Sequence, residues 1–253
     1  MKCVMKPDEM ARMWREMDEQ VADPTVQLAL SLVVGVIFLR FLYRLLFGRA
    51  SGSTVVIVGP CGAGKTTLLT QLRDGSVHSG TVSSMQENEA LCKIQYEGGR
   101  SKVAKVIDVP GHPRLRHKLE QHLKDALVVV YVIDAADITP HKLEAAEGLF
   151  EVLTHPHISG RKINVLLACN KMDLETQAHS VDFIKRTLEK QLDAMRKTRM
   201  ALTTDGGGFG TALGRADRSF TLSAARSPIS MASISAERGD LKELHQFLSR
   251  ILR

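Results

Sequence analysis

Residues 54–67 read TVVIVGPCGAGKTT, and this stretch decides the fold. Thr54 to Val58 is a short β-branched run of the kind that forms a buried strand. Gly59-Pro60-Cys61-Gly62-Ala63-Gly64-Lys65-Thr66 then matches GxxxxGK[ST], and a helical stretch begins at Lys65. Strand, glycine-rich turn and helix in that order make a cradle for phosphate. Gly59, Gly62 and Gly64 let the backbone turn sharply and bring its N–H groups toward phosphate oxygens, while the helix adds the positive end of its dipole. Lys65 can reach the β- and γ-phosphates of a nucleotide, and the Thr66 hydroxyl can ligate Mg²⁺. Pro60, Cys61, Ala63 and Thr67 complete the expected phosphate-lining set. The bland alternative is a glycine-rich loop that matches by chance, and the motif leaves the base open.

Asn170-Lys171-Met172-Asp173 narrows the base. It follows an apolar run, Ile163 to Cys169, about a hundred residues after Lys65. Guanine offers two donors, N1–H and the exocyclic amine, where adenine offers neither. A carboxylate such as Asp173 can accept from both and is left unsatisfied by adenine. The Lys171 stem can lie over the ring, and Asn170 can tie this loop to the phosphate loop. In isolation NKxD is a common polar turn; at a strand end it gains force, because ligands of open α/β sheets bind beyond the carboxyl ends of strands. Ser235-Ala236 follows the strand-like Ile229 to Ile234, and the Ala236 N–H is placed to bond the guanine O6.

Asp108-Val109-Pro110-Gly111-His112 has the makings of a γ-phosphate sensor. Asp108 can hold Mg²⁺ through water, and the Gly111 N–H can bond the γ-phosphate, so that loss of this phosphate releases the segment beyond. His112 stands where a water-orienting side chain would act, or else is a surface loop residue. Thr81 is the candidate for a second switch position and metal ligand, with Ser83 and Ser84 as alternatives.

The rest of the body alternates strand and helix. Ala90 to Tyr96 and Lys102 to Asp108 read as a hairpin around Glu97-Gly98-Gly99-Arg100. Leu127 to Ile133 has the unbroken apolar character of a buried parallel strand. A helix is expected after the cap Thr139-Pro140, with Leu143, Ala146, Phe150 and Leu153 on one face. Others are expected over about Val181 to Met195 and from Asp240 onward, the last with Leu241, Leu244, Phe247, Leu248 and Ile251 inward. This pattern predicts a three-layer α/β domain with a mostly parallel sheet. Residues 203–228, rich in Gly, Ser and Thr, read as a flexible surface insertion.

Composition agrees with a packed core: 44% of residues are hydrophobic and 25% charged, with a net charge of +6. Cys3, Cys61, Cys92 and Cys169 form no CxxC pair, which argues against a disulfide framework or a zinc site. Near the N-terminus, LALSLVVGVIFL (28–39) carries no charge. Extended to Val26–Phe47, it reaches the roughly 20 residues that span a bilayer core, with Arg40 snorkelling at one end. Acidic residues before it and Arg40, Arg44 and Arg49 at its far end place the C-terminal bulk in the cytosol. The expected layout is a short lumenal segment at 1–25, a transmembrane helix at 26–47 and a cytosolic nucleotide-binding domain at 48–253. A buried core helix is the competing reading of 26–47.

With these motifs in this order, residues from about 54 to 253 resemble the Ras-like GTPases, near the ADP-ribosylation-factor and Sar branch. The nearer resemblance is to the signal recognition particle receptor β-subunit family. It rests on the N-terminal apolar segment, on DVPGH followed by Arg114-Leu115-Arg116, on Leu167-Ala168-Cys169-Asn170-Lys171 and on the polar insertion. Lys2 in place of glycine, and no CaaX ending, set it apart from lipidated relatives. The resemblance implies a P-loop NTPase fold, GTP and GDP with Mg²⁺ as ligands, and a single-pass endoplasmic reticulum protein. It also implies a GTP-bound form that recruits the receptor α subunit as a heterodimer and helps dock ribosomes at the translocon, without sequence-specific nucleic-acid binding. Cys61, where many such loops have glycine, crowds the γ-phosphate and predicts slow unaided hydrolysis. A GTP-stabilised scaffold with little turnover and an ADP-ribosylation-factor-related traffic GTPase are the alternatives.

Overall fold

The structure is a computed structural model that describes residues 28, 32–36, 38–40, 54–76, 87–95, 101–111, 116–202, 213–214 and 218–252. The chain divides into two compact units, Met1–Ala50 and Ser51–Arg253. In the first, the described residues are helical and exposed, including Leu32, Val33, Val34, Val36, Phe38 and Leu39. No helix among the described residues is long and apolar enough to cross a membrane; most of the expected span at 26–47 lies outside them.

The second unit is built on a six-stranded sheet in the order β2-β3-β1-β4-β5-β6. Its strands are β1 (Thr54–Val58), β2 (Asn88–Gln95), β3 (Ser101–Asp108), β4 (Ala126–Asp134), β5 (Asn164–Asn170) and β6 (Ile229–Ser233). β2 and β3 pair antiparallel, as the hairpin signal implied, and every other pairing is parallel. Among the described residues six α-helices accompany the sheet: α1 (Lys65–Asp74), α2 (Arg116–Lys124), α3 (Ile138–Thr154), α4 (Pro156–Arg161), α5 (Val181–Leu202) and α6 (Lys242–Ile251).

Successive side chains of a strand point to opposite faces, so a strand of unbroken apolar character must be covered on both. On one face Val56, Val58, Val129, Tyr131 and Ile133 pack with Leu149, Phe150 and Leu153 of α3 and Ile184, Leu188 and Leu192 of α5. On the other, Val55, Ile57, Val128, Val130 and Val132 meet Leu68, Leu69 and Leu72 of α1 and Leu244 and Leu248 of α6. Each fully buried leucine or valine contributes roughly 1.5–3 kcal/mol. Two helical layers enclose the sheet.

Three expectations need correction. α3 starts at Ile138, one residue before the expected cap, and the Thr139 hydroxyl instead lies 3.0 Å from His179 Nε2. Leu143 is 53% exposed, because the helix turns Ala145, Ala146 and Leu149 inward. The stretch 203–228 is not a surface insertion throughout: Leu213, Phe220 and Leu222 are buried, and Leu222–Ala224 forms a 3₁₀ turn.

What docks that stretch is the C-terminal half of α5. Arg196, 2% exposed, donates to Leu213 O at 3.1 Å and Arg218 O, and pairs with Asp193 Oδ1 at 2.6 Å. Asp193 Oδ1 accepts from Phe220 N at 3.0 Å, and Glu189 Oε1 accepts from Leu222 N at 2.8 Å. A serine- and glycine-rich segment is thus held through its backbone, by side chains on a neighbouring helix.

Candidate nucleotide-binding site

The phosphate loop leaves β1 at Val58 and enters α1 at Lys65. Its glycines adopt conformations that other residues rarely take: φ is 148° at Gly59, 77° at Gly62 and 88° at Gly64. At Gly64 a Cβ would also collide with the Asn170 amide. Lys65 is buried, and its ammonium caps the loop by donating to Pro60 O at 2.7 Å. Burial pushes its pKa down, opposed chiefly by the nearby Asp108 charge. A polyanion in the loop would supply the missing negative charge.

Asp108 closes β3 beside the loop and is 1% exposed. Its Oδ2 accepts from the Thr66 hydroxyl at 2.6 Å, while Oδ1 is buried without a hydrogen-bond partner among the described residues. Desolvation raises the pKa of this carboxyl, opposed by the Thr66 bond, the Lys65 charge and the Asn88 side chain across the β2–β3 pair. An unsatisfied buried carboxylate oxygen next to a threonine hydroxyl suits a hard divalent cation such as Mg²⁺. Gly111 stands hard against the loop: a Cβ there would clash with Gly59 O and come within 2.9 Å of Cys61 N and of Lys65 Nζ. Thr81, Ser83, Ser84 and His112 lie outside the described residues.

The base-reading loops meet the phosphate loop through one side chain. Asn170, 2% exposed, donates from Nδ2 to Ala63 O at 2.9 Å and accepts at Oδ1 from Ala236 N at 2.9 Å. The amide of Ala236, the residue expected at the guanine O6, braces one loop against the other through Asn170. The Ser235 hydroxyl donates to Asp173 Oδ1 at 2.6 Å, and its oxygen accepts from Arg238 N at 3.2 Å. Asp173 is thereby aimed from the β6–α6 turn, with lone pairs left over for a ligand.

Sequence reasoning missed Asp134. It ends β4 directly opposite Asn170 in the parallel register, and its Oδ2 lies 2.5 Å from Lys171 Nζ. Its other oxygen accepts from Ala136 N at 3.0 Å and Asp137 N at 3.2 Å. The available signal was an acid at the carboxyl end of an apolar run, VVVYVID. A cavity of about 340 Å³ opens between Pro60, Cys61 and Gly62 on one side and Asp134, Ile138 and Lys171 on the other.

Residues 50–225 match the family described as signal recognition particle receptor beta subunit. The chain belongs to this family. It is 30% identical to the signal recognition particle receptor subunit beta of Mus musculus, over 92% of this chain and 89% of the relative. The Homo sapiens subunit matches to the same extent. Among solved structures, "The Structure of the Mammalian SRP Receptor" superposes with a TM-score of 0.66 at 30% identity, covering 78% of this chain and 99% of that one. A signal recognition particle receptor SRb-GTP/SRX complex from Chaetomium thermophilum shares the fold, with a TM-score of 0.58 at 21% identity over 78% of this chain and 97% of that one. The fold is α/β and Ras-like, with a mostly parallel sheet. Relatives of the ADP-ribosylation-factor type cover less of the chain: one from Danio rerio, ADP-ribosylation factor-like protein 6, is 30% identical over 50% of it and 66% of its own length.

Proposed function

We propose that this chain binds GTP and GDP with Mg²⁺ and acts as the β subunit of a signal recognition particle receptor. Its GTP-bound form engages the receptor α subunit at the endoplasmic reticulum membrane and supports co-translational targeting. The observation that carries the reading is the Asn170 bridge, which sets the carboxylate at Asp173 at a fixed distance from the phosphate loop. A binder of bare phosphate needs no such second arm.

Lys65 and the amides of residues 59–66 would hold the phosphates, Asp173 the guanine edge, and Lys171 the ring face. Thr66, and Asp108 through water, would hold Mg²⁺, which when bound offsets the charge on the β- and γ-phosphate oxygens. Gly111 reports the γ-phosphate because it already abuts the loop. His112 orients the attacking water, and the Cys61 side chain at the loop's crest makes unaided hydrolysis slow. The exposed apolar side chains of Leu32, Val33, Val34, Val36, Phe38 and Leu39 support a lipid surrounding for residues 26–47, and the charge bias around them supports a single-pass topology with residues 48–253 in the cytosol.

Competition for fluorescent GDP on the full-length chain in detergent tests the reading. GTP and GDP should displace it at far lower concentration than ATP. Equal displacement by ATP would sink it.

A further inference from the structure

We propose that Asp134 is a positioning residue for nucleotide binding: it holds the Lys171 side chain at the edge of the cavity beside the phosphate loop, as a ready-made apolar strip. This deepens the guanine-nucleotide reading and rests on it.

The geometry begins with two neighbouring parallel strands. Asp134 and Asn170 are partners at the carboxyl ends of β4 and β5, so Lys171, one residue further, must reach sideways to meet Asp134. It does so from a left-handed backbone, φ 65°, which a non-glycine residue adopts only where its surroundings enforce it. The ammonium then sits 2.5 Å from Asp134 Oδ2. Asp134 is itself immobilised, because Oδ1 accepts from two successive amides. Both ends of the lysine are therefore held, which narrows the range open to the methylenes between them.

The cavity shows what the arrangement is for. Lys171 and Asp134 border the same space as Cys61 and Gly62 of the phosphate loop, so a molecule whose phosphates lie in the loop has the stem beside it. A free lysine loses more rotamer freedom on being ordered than almost any other residue. Here the anchor has removed that freedom before any ligand arrives, which favours binding by preorganisation. The pair is only partly buried, with side-chain exposures of 36% for Lys171 and 19% for Asp134, so the gain is of modest size.

Release of fluorescent GDP and IDP from the full-length chain, measured by stopped flow, tests this. Asp134→Asn retains an acceptor for the two amides and removes the charge that holds Lys171. It should speed release about three- to fivefold. GDP and IDP should be affected alike, because the stem meets the ring face and takes no part in reading the exocyclic amine. Lys171→Met supplies an unbranched apolar stem with no ammonium, and in that background Asp134→Asn should add nothing. Asp134→Glu, which displaces the charge, must show the same dependence on Lys171 and serves if the Asn variant does not fold. Equal acceleration in both backgrounds would mean that Asp134 acts through the turn it braces, and would overturn the proposal. So would unchanged release, or an effect on GDP that spares IDP. Failure of the unsubstituted chain to retain GDP is a separate result: it removes the guanine reading and this inference together.

Discussion

Asn170 joins a carbonyl 107 residues before it to an amide 66 residues after it. Both partners are buried, and removing the side chain would leave each unsatisfied at about 1–3 kcal/mol apiece. Around this one amide stand the two groups that decide affinity and choice. Lys65→Ala deletes the buried cation of the phosphate loop, so nucleotide affinity should fall at least tenfold, about 1.4 kcal/mol; equilibrium titration with fluorescent GDP checks it, and retained affinity would count against the phosphate-loop assignment. Asp173→Asn turns an acceptor toward the exocyclic position into a donor. Preference should move from guanine to xanthine nucleotides, read by competition between GDP and XDP. The same residues show where sequence reasoning reaches its limit. Lys65 and Asp173 were legible because their chemistry is local to a motif. Asp134 was not, since its meaning comes from a lysine 37 residues away that only the sheet brings near. Ala236 was assigned to the ligand from its place in the order of motifs, a signal that says nothing of the Asn170 side chain its amide bonds.

At the scale of elements, the strands followed from apolar periodicity and their ends moved by only one or two positions, whereas α5 runs on to Leu202, seven residues past its expected end, and α2 and α4 carried too little periodicity to be foreseen. β1, β4 and β5 are buried along nearly their whole length, and for such strands composition alone is decisive. The segment after α5 was misread because its own residues carry little hydrophobic signal; its anchors, Glu189, Asp193 and Arg196, look like ordinary surface charges of an amphipathic helix. Arg196→Met should therefore destabilise the domain by about 3–5 kcal/mol, since it leaves Asp193 and two carbonyls without their buried donor. Denaturant unfolding measures this, and a loss below about 1 kcal/mol would show the contact to be incidental. Acid should probe the same junction. The Lys197 ammonium bonded to Asp193, with help from the Phe220 amide, holds that carboxyl below its usual range. Its folded pKa is depressed, so its contribution is complete above the unfolded value near 3.9 and is lost as pH falls through the lower folded value. Asp193→Asn should flatten that acid limb in unfolding curves taken from about pH 5 downward, and an unaltered limb would assign it to other groups.

The whole domain draws its site from five separated stretches: the loop after β1, the ends of β3, β4 and β5, and the turn after β6. A ligand that bridges them binds the folded chain and nothing less. Removing nucleotide and Mg²⁺ with a chelator should cost about 2.7 kcal/mol relative to a hundredfold excess over Kd. For a domain of this size that is a fall of about 5–10 °C in Tm, measured by scanning fluorimetry; no shift would mean that the cleft is empty under both conditions. The Asn170 bridge carries a kinetic corollary. A ligand that needs all of these stretches assembled binds only the finished fold. GDP should therefore leave the refolding rate untouched and slow the unfolding rate, acting as a latch on a door already shut and giving no help in closing it.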